Sequence, residues 1–134
     1  MKGSIQGTLE QLRNFRNSQY GEVVDKFLGW LKEQYGISPA WDEFYADVYT
    51  VGQINMVWGE LQGHISKGHI SSEKIGTLFV DEGRYLVLVL VNPSASEAIY
   101  AHDACQVLYE SSDTEVISTE IDGNQLLAIR IFID

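Results

Sequence analysis

The 134-residue sequence has one cysteine, two prolines and no apolar run longer than Tyr85–Val91. The lone cysteine, Cys105, excludes an internal disulfide framework and is typical of a reducing compartment. The scarcity of proline and the lack of low-complexity tracts argue against long disordered linkers. The apolar run is far shorter than the roughly 20 residues of a membrane-spanning helix. Because no signal-peptide pattern follows Met1, we expect a soluble, cytoplasmic protein that binds no membrane.

Basic residues are also scarce. Nine lysines and arginines stand against 19 aspartates and glutamates, which gives a formal net charge of −10 at pH 7. Such a chain repels nucleic-acid phosphates and anionic lipids, so direct binding to nucleic acid is not expected. It attracts basic surfaces, metal cations and cationic proteins. The alternative is that the acidity only keeps a small protein soluble.

The chain length fits one domain, 1–134, with a helical part at 1–70 and a ββαββ part at 76–134. The clearest helix runs over about 20–35 and should stop at Gly36, because glycine takes the left-handed conformation at little cost. Ser38 and Pro39 have the residue types that begin a helix. Thr50 is expected to separate that helix from the next one. The predicted helices of the N-terminal half are 5–15, 20–35, 39–49 and 54–65.

After residue 75 the hydrophobic period changes from about 3.6 residues to 2, which indicates strands. Strands are predicted at 77–80 and 84–91 around a turn at 81–83, and at 114–121 and 125–133 around a turn at 122–124. Ser94 and Glu97 have capping-box spacing and predict a helix that ends near residue 110. Because the second and fourth strands are the most apolar, they should lie in the centre. We therefore predict an α+β fold, with the helical half packed on a four-stranded antiparallel sheet of order 1-2-4-3.

Two histidines, His64 and His69, lie in the segment GHISKGHIS. Two zinc ligands on one helix need a spacing of three or four residues, whereas five residues rotate the second side chain by about 140° from the first. Gly68 should also end the helix between them. We therefore expect two exposed histidines near a helix C-terminus and no metal site.

A second candidate pair is His102 and Cys105, three residues apart in a predicted helix. Cys105 belongs to an apolar stripe and lies far from the helix N-terminus, so we expect a buried, unreactive thiol. For His102, close to Tyr109, we expect partial burial, and a small-ligand pocket beside it is the alternative. Neither a phosphate-binding glycine loop nor a nucleophile motif is present, so no enzyme activity and no cofactor are expected.

The segment WDEFYADVY, at 41–49, mixes aromatic side chains with carboxylates. One interpretation is a core helix whose acids face water. The other is a recognition surface, because aromatic anchors and complementary charge suit a basic partner. Carboxylates in the predicted turns would extend that surface. The predicted partner-binding residues are Trp41, Asp42, Glu43, Tyr45, Asp47, Asp81, Glu82, Glu120 and Asp122.

Three functions agree with these patterns. The first is a small acidic, non-catalytic protein-binding module that covers a basic surface of a partner macromolecule, as an inhibitor, immunity or anti-defence protein does. The second is a dimeric assembly or secretion chaperone, which would bind its client through apolar area and resist salt. The third is a small-ligand sensor or enzyme with a pocket near His102. A homodimer through the edge strand 114–121 is also possible in principle, although the strand's charges oppose it.

Overall fold

An antiparallel sheet with helices on both faces organises the chain. The computed structural model describes residues 19–38, 48–81, 85–107 and 114–132. In the second of these ranges, side chains are described from residue 52 onward. Its α-helices are α1 (Gly21–Tyr35), α2 (Val48–Ser66) and α3 (Ala95–Cys105), and a short 3-10 helix spans Ser72–Lys74. Its strands are β1 (Ile75–Asp81), β2 (Tyr85–Val91), β3 (Thr114–Ile121) and β4 (Asn124–Phe132).

The strand order is β1-β2-β4-β3, and every neighbouring pair is antiparallel. In the register, Leu88 of β2 lies opposite Leu78 on one side and Ile129 on the other. Residues 86–91 are completely buried, because β2 is apolar on both faces and is covered by helices on both. The α+β fold and the strand order predicted from the sequence are confirmed.

Successive side chains of each strand point to opposite faces of the sheet, so the core has two layers. On one face, α1 packs through its apolar stripe against alternate residues of β1, β2, β3 and β4. On the other face, α2 and α3 cover the opposite residues of β1, β2 and β4. The buried helical residues are Val23, Val24, Phe27 and Leu31 of α1, Ile54, Val57 and Leu61 of α2, and Ala101, Ala104 and Cys105 of α3.

The predicted end of α1 at Gly36 is confirmed. Gly36 has a φ of 70°, in the left-handed region, and its N–H donates to the Lys32 carbonyl at 3.0 Å. The N–H of Ile37 then donates to the Leu31 carbonyl at 3.3 Å, and the Ile37 side chain is buried in the α1 layer. These bonds satisfy carbonyls that the helix end would otherwise leave free.

Several element boundaries differ from the sequence-based prediction. Thr50 lies inside α2 and does not separate two helices, since threonine in a helix costs only about 0.7 kcal/mol or less relative to alanine. α3 ends at Cys105, where the Gln106 N–H donates to the carbonyls of His102 and Asp103 and tightens the last turn. β1 continues to Asp81, which pairs with Tyr85. The predicted helix 5–15, the stretch 39–47 and residues 82–84 lie outside the described residues.

Glu97 connects the start of α3 to the segment that precedes β1. The Ser94 hydroxyl accepts a hydrogen bond from the Glu97 N–H at 3.1 Å, and the Ser94 N–H donates to the Glu97 carboxylate at 3.0 Å. This is the predicted capping box. The other carboxylate oxygen accepts from the Ser71 N–H at 2.8 Å, and Lys74 Nζ lies 3.9 Å from the carboxylate.

Glu97→Gln is expected to reduce the dependence of stability on acid pH. Burial raises the pKa of Glu97, but hydrogen bonds from Ser71 and Ser94 and the charge of Lys74 outweigh it, so the pKa is lowered overall. A carboxylate with a lowered folded-state pKa stabilises the fold above its unfolded-state pKa, and this contribution is lost as pH falls through the folded-state pKa. Urea unfolding between about pH 7 and pH 3 measures the effect. The exposed Glu33→Gln is the control, and identical pH profiles for both variants would contradict the expectation.

Candidate functional site

The predicted partner-binding residues do not form one surface in the described part of the chain. Trp41, Asp42, Glu43, Tyr45, Asp47 and Glu82 lie outside the described residues, so their role stays a prediction. Of the other three, Asp81 is buried, whereas Glu120 and Asp122 lie in the exposed β3–β4 hairpin.

The expectation that Asp81 lies exposed in a turn is wrong. Its side chain is only 2% exposed, and its carboxylate lies 3.2 Å from Arg130 Nη2. The Ser38 N–H donates to the second carboxylate oxygen at 3.2 Å. The sheet register explains the pair, because Asp81 on β1 and Arg130 on β4 lie on the same face with Tyr85 of β2 between them. The charge of Asp81 is therefore neutralised inside the molecule.

Asp122 and Glu120 both lie in the exposed β3–β4 hairpin. Asp122 is at the turn, with a φ of 52°, and its carboxylate lies 2.6 Å from Lys26 Nζ on α1. This hydrogen bond and the charge of Asp122 raise the pKa of Lys26. The Glu120 carboxylate accepts a hydrogen bond from Gln125 at 3.2 Å. The Glu120 carboxylate therefore pairs with an uncharged amide, whereas that of Asp122 pairs with a cation.

An apolar groove of about 280 Å³ lies between α3 and the neighbouring strands β3 and β4. We call it the β3–α3 groove. Two of its apolar side chains are unusually accessible, with Ile99 of α3 62% exposed and Val116 of β3 54% exposed. Among the described helices, α2 and α3 pack towards the centre of the sheet and leave this face of β3 open, which forms the groove. Its lining residues are Ala98, Ile99, His102, Val116, Leu127 and Ile129.

Carboxylates extend both walls of the β3–α3 groove. Asp103 is four residues after Ile99 on α3, so both side chains lie on the same side of the helix. Glu120 is four residues after Val116 and therefore lies on the same face of β3. Both carboxylates are exposed. The groove itself is apolar, and exposed carboxylates lie on the same helix and strand faces as its Ile99 and Val116.

The outer edge of β3 runs alongside this groove. β3 pairs with β4 on one side, and no other strand of the described residues pairs with its second side. A strand edge of this kind presents backbone N–H and C=O groups to any extended segment that can lie next to it. Charged residues on the edge, here Glu115 and Glu120, select against partners that are also acidic.

His102 and Cys105 face different surroundings. His102 lines the groove, while Cys105 is packed in the core beneath α2 and α3. Burial raises the pKa of the Cys105 thiol to about 12, so the thiolate needed for nucleophilic attack does not form near neutral pH. The buried, unreactive cysteine expected from the sequence agrees with this environment. Tyr109 lies outside the described residues.

The expectation of two exposed, separate histidines is wrong. Nδ1 of His64 and Nδ1 of His69 lie 3.0 Å apart, and both rings are partly buried. The chain reverses at Gly68, whose φ is 77°, and this turn returns His69 to the last turn of α2. Among the described residues, no group of three or more His, Cys, Asp or Glu side chains is placed to hold a metal ion.

The fold and the groove define an α+β protein with an apolar groove, and exposed carboxylates near it, next to a sheet edge that no described strand pairs with. Comparison of the chain with protein-family models, with curated proteins and with solved structures found no match. Within the described ranges, none of the helices combines the length and apolar character needed to cross a membrane.

Proposed function

We propose that the protein is a small acidic, non-catalytic protein-binding module that covers a basic surface of a partner protein through the β3–α3 groove. The observation that carries the proposal is the exposure of Ile99 and Val116 beside the outer edge of β3, together with the exposed carboxylates of Asp103 on α3 and Glu120 on β3. Such a protein acts by occupying a surface, as an inhibitor or immunity protein does. The single, unpaired Cys105 supports a reducing compartment such as the cytoplasm.

The partner segment that fits is extended and basic, with apolar residues at alternate positions. In this conformation it adds to the outer edge of β3 and places every second side chain over Val116 and Ile99. Burial of these two side chains provides most of the binding energy, because a few central apolar contacts usually dominate an interface. Lysine or arginine residues of the partner lie near Asp103 and Glu120, and the net charge of −10 speeds the encounter.

Protein binding fits this groove better than the two alternatives. Small-ligand pockets usually combine an enclosed apolar cavity with several convergent polar groups, whereas His102 is the one polar residue in this open lining. A homodimer through β3 would bring the same carboxylates, Glu115 and Glu120, of two copies to one interface, and like charges across paired strands are destabilising.

The proposal is tested by capturing partners from a lysate of the source organism with the wild-type chain and with Ile99→Lys/Val116→Lys. A specific basic protein should be captured by the wild type at low salt and lost with the double variant. Its affinity for each single variant should fall at least about tenfold, since the loss of a hot-spot contact typically costs about 2 kcal/mol or more. The matched control is Met56→Lys, at an exposed position of α2 outside the groove.

Charge reversal separates the electrostatic contribution from the apolar one. Asp103→Lys/Glu120→Lys should slow association and flatten its salt dependence, because rim charges act mainly on the encounter rate. Capture that is equally strong with the groove variants and with Met56→Lys would exclude the groove as the binding surface. A partner that resists raised salt in every variant would instead favour a chaperone that binds through apolar area.

A further inference from the structure

The two edge strands of the sheet differ in how well they are covered. Every residue of β1, Ile75–Asp81, is buried, although among the described strands β1 pairs only with β2. Along β3, only Ile117 is buried. Backbone groups on a covered edge cannot reach a second strand. Of the two edges in the described part of the chain, that of β3 is therefore the one accessible to a partner.

The hydrogen bonds of Gln125 on β4 show which backbone groups of β3 point outward. The Gln125 N–H donates to Asn92 Oδ1 and its C=O accepts from the Asn92 N–H, both at 2.8 Å, so these groups point towards the end of β2. Backbone groups of successive residues point to alternate sides of a strand, so those of Leu126 point towards β3, where Thr119 lies opposite. The β3 residues whose N–H and C=O groups point away from β4 are therefore Thr114, Val116, Ser118 and Glu120.

The side chains of these residues lie on the groove face of the sheet. Val116 lines the β3–α3 groove and lies opposite Ile129 of β4. Side chains two residues apart share a face, so Ser118 and Glu120 lie on the face of Val116, and both are exposed. The side chain of Ile117 lies on the other face, in the α1 layer. A strand that bonds to this edge therefore places alternate side chains directly beside Val116, Ser118 and Glu120.

We propose that the outer edge of β3 binds an antiparallel partner strand in one register, with a basic residue opposite Glu120 and an apolar residue opposite Val116. This inference rests on the proposed function and adds the orientation and the sequence pattern of the partner segment. An antiparallel strand forms directly opposed, hydrogen-bonded residue pairs, and this pairing is slightly more stable per residue than a parallel one. In this orientation the partner chain passes Glu120 before it reaches Val116.

Charge sets the register of the partner strand. Glu115 and Glu120 are both exposed, and an odd separation in sequence places them on opposite faces of β3. A lysine or arginine opposite each of them stabilises the strand pair, whereas a carboxylate there is destabilising. The partner therefore has two basic residues at this separation, with an apolar residue just before the second, as in the peptide Lys-Thr-Thr-Val-Ile-Lys-Thr. Its first lysine lies opposite Glu120, its isoleucine opposite Val116 and its second lysine opposite Glu115.

Amide hydrogen exchange of the isotope-labelled full-length protein with this peptide, resolved by residue in NMR spectra, tests strand addition. In the protein alone, the amides of Ile117 and Thr119 bond to β4 and should exchange slowly. The outward amides of Val116, Ser118 and Glu120 should exchange fast, and the peptide should slow them at least about tenfold. Absence of peptide binding, or a bound peptide that leaves the outward amides unchanged, would overturn the proposal.

Charge exchange between the protein and the peptide tests the register. Glu120→Lys should weaken peptide binding about fivefold, and glutamate in place of the first lysine of the peptide should restore it. Glu115→Lys should be rescued by glutamate in place of the second lysine. The peptide of reversed sequence has the same composition and charge, and it should bind more weakly. Rescue of Glu120→Lys through the second lysine position, or tighter binding of the reversed peptide, would overturn the register or the orientation.

Failure of this inference can be distinguished from failure of the proposed function. Loss of a captured partner with Ile99→Lys/Val116→Lys tests the groove, whatever the orientation of the bound segment. A partner that is lost in this way, combined with a peptide that leaves the outward amides unprotected, would overturn strand addition in this register and leave the groove as the binding surface.

Discussion

Replacing Arg130 with methionine is expected to lower the free energy of unfolding by about 3–5 kcal/mol. Methionine keeps much of the aliphatic stem of arginine but removes the charge. The substitution leaves the Asp81 carboxylate buried without its cation, 2% exposed and with one backbone N–H, that of Ser38, as hydrogen-bond donor. A buried, uncompensated charge is more costly than the ion pair is stabilising.

Several contacts fix Arg130 at this position. Its guanidinium carbon lies 3.7 Å from the centroid of the Tyr85 ring, which adds a cation–π contact to the ion pair. Glu115 lies 4.0 Å away on β3, but its side chain is largely exposed and adds little. The cluster therefore connects all four strands at one end of the sheet face.

Guanidinium chloride unfolding of Arg130→Met measures this effect. The double variant Asp81→Leu/Arg130→Met should recover most of the lost stability, since removing both partners leaves no buried charge without a counter-charge. Lys26→Met is the matched control, because it breaks an ion pair whose side chains are 51% and 59% exposed. A loss for Arg130→Met no larger than that for Lys26→Met would show that the Asp81–Arg130 pair does not stabilise the fold.

Phe27→Ala is expected to destabilise the protein by a similar amount, about 3–5 kcal/mol. Phe27 is completely buried in the layer between α1 and the sheet. Its ring also stacks on Trp30, with centroids 5.7 Å apart. The substitution removes most of a large side chain and leaves a cavity that the neighbouring groups of the helix and the sheet cannot fill without moving.

Thermal and denaturant unfolding of a series of variants separates the free-energy cost of the cavity at residue 27 from any loss of helix stability. Phe27→Leu should cost less than half as much as Phe27→Ala, because leucine fills much of the same volume. Tyr35→Ala, at an exposed position of the same helix, should change stability by no more than about 1 kcal/mol. Equal losses for Phe27→Ala and Tyr35→Ala would mean that α1 is not packed on the sheet through Phe27.

The architecture could be predicted because local patterns and tertiary packing agree. The change in hydrophobic period near residue 75, the capping box at Ser94 and the glycine at position 36 are each local signals, and each one marks a boundary or element that the structure has. The strand order followed from the need to bury β2 and β4. The end of α3 could not be placed, since the helix stops within an apolar stripe that continues in sequence.

The candidate site could not be predicted in the same way, because it depends on residues brought together by the fold. Ile99 and Val116 look like core residues in their own periodic patterns, and only the position of α3 over the sheet leaves both exposed. The strand register brings Asp81 and Arg130 together, and the residue pattern of one strand alone does not predict that register. For His64 and His69, the spacing rule assumed one helix, whereas the turn at Gly68 changes the direction of the chain.

The most direct test of whether the β3–α3 groove is the binding surface is amide hydrogen exchange. It is measured on the wild-type chain alone and in complex with the protein that it captures. We expect backbone amides of β3, Thr114–Ile121, and of α3 around Ile99 to exchange more slowly in the complex, while those of α1 stay unchanged. Slower exchange confined to α1, or unchanged exchange along β3, would contradict binding at the groove.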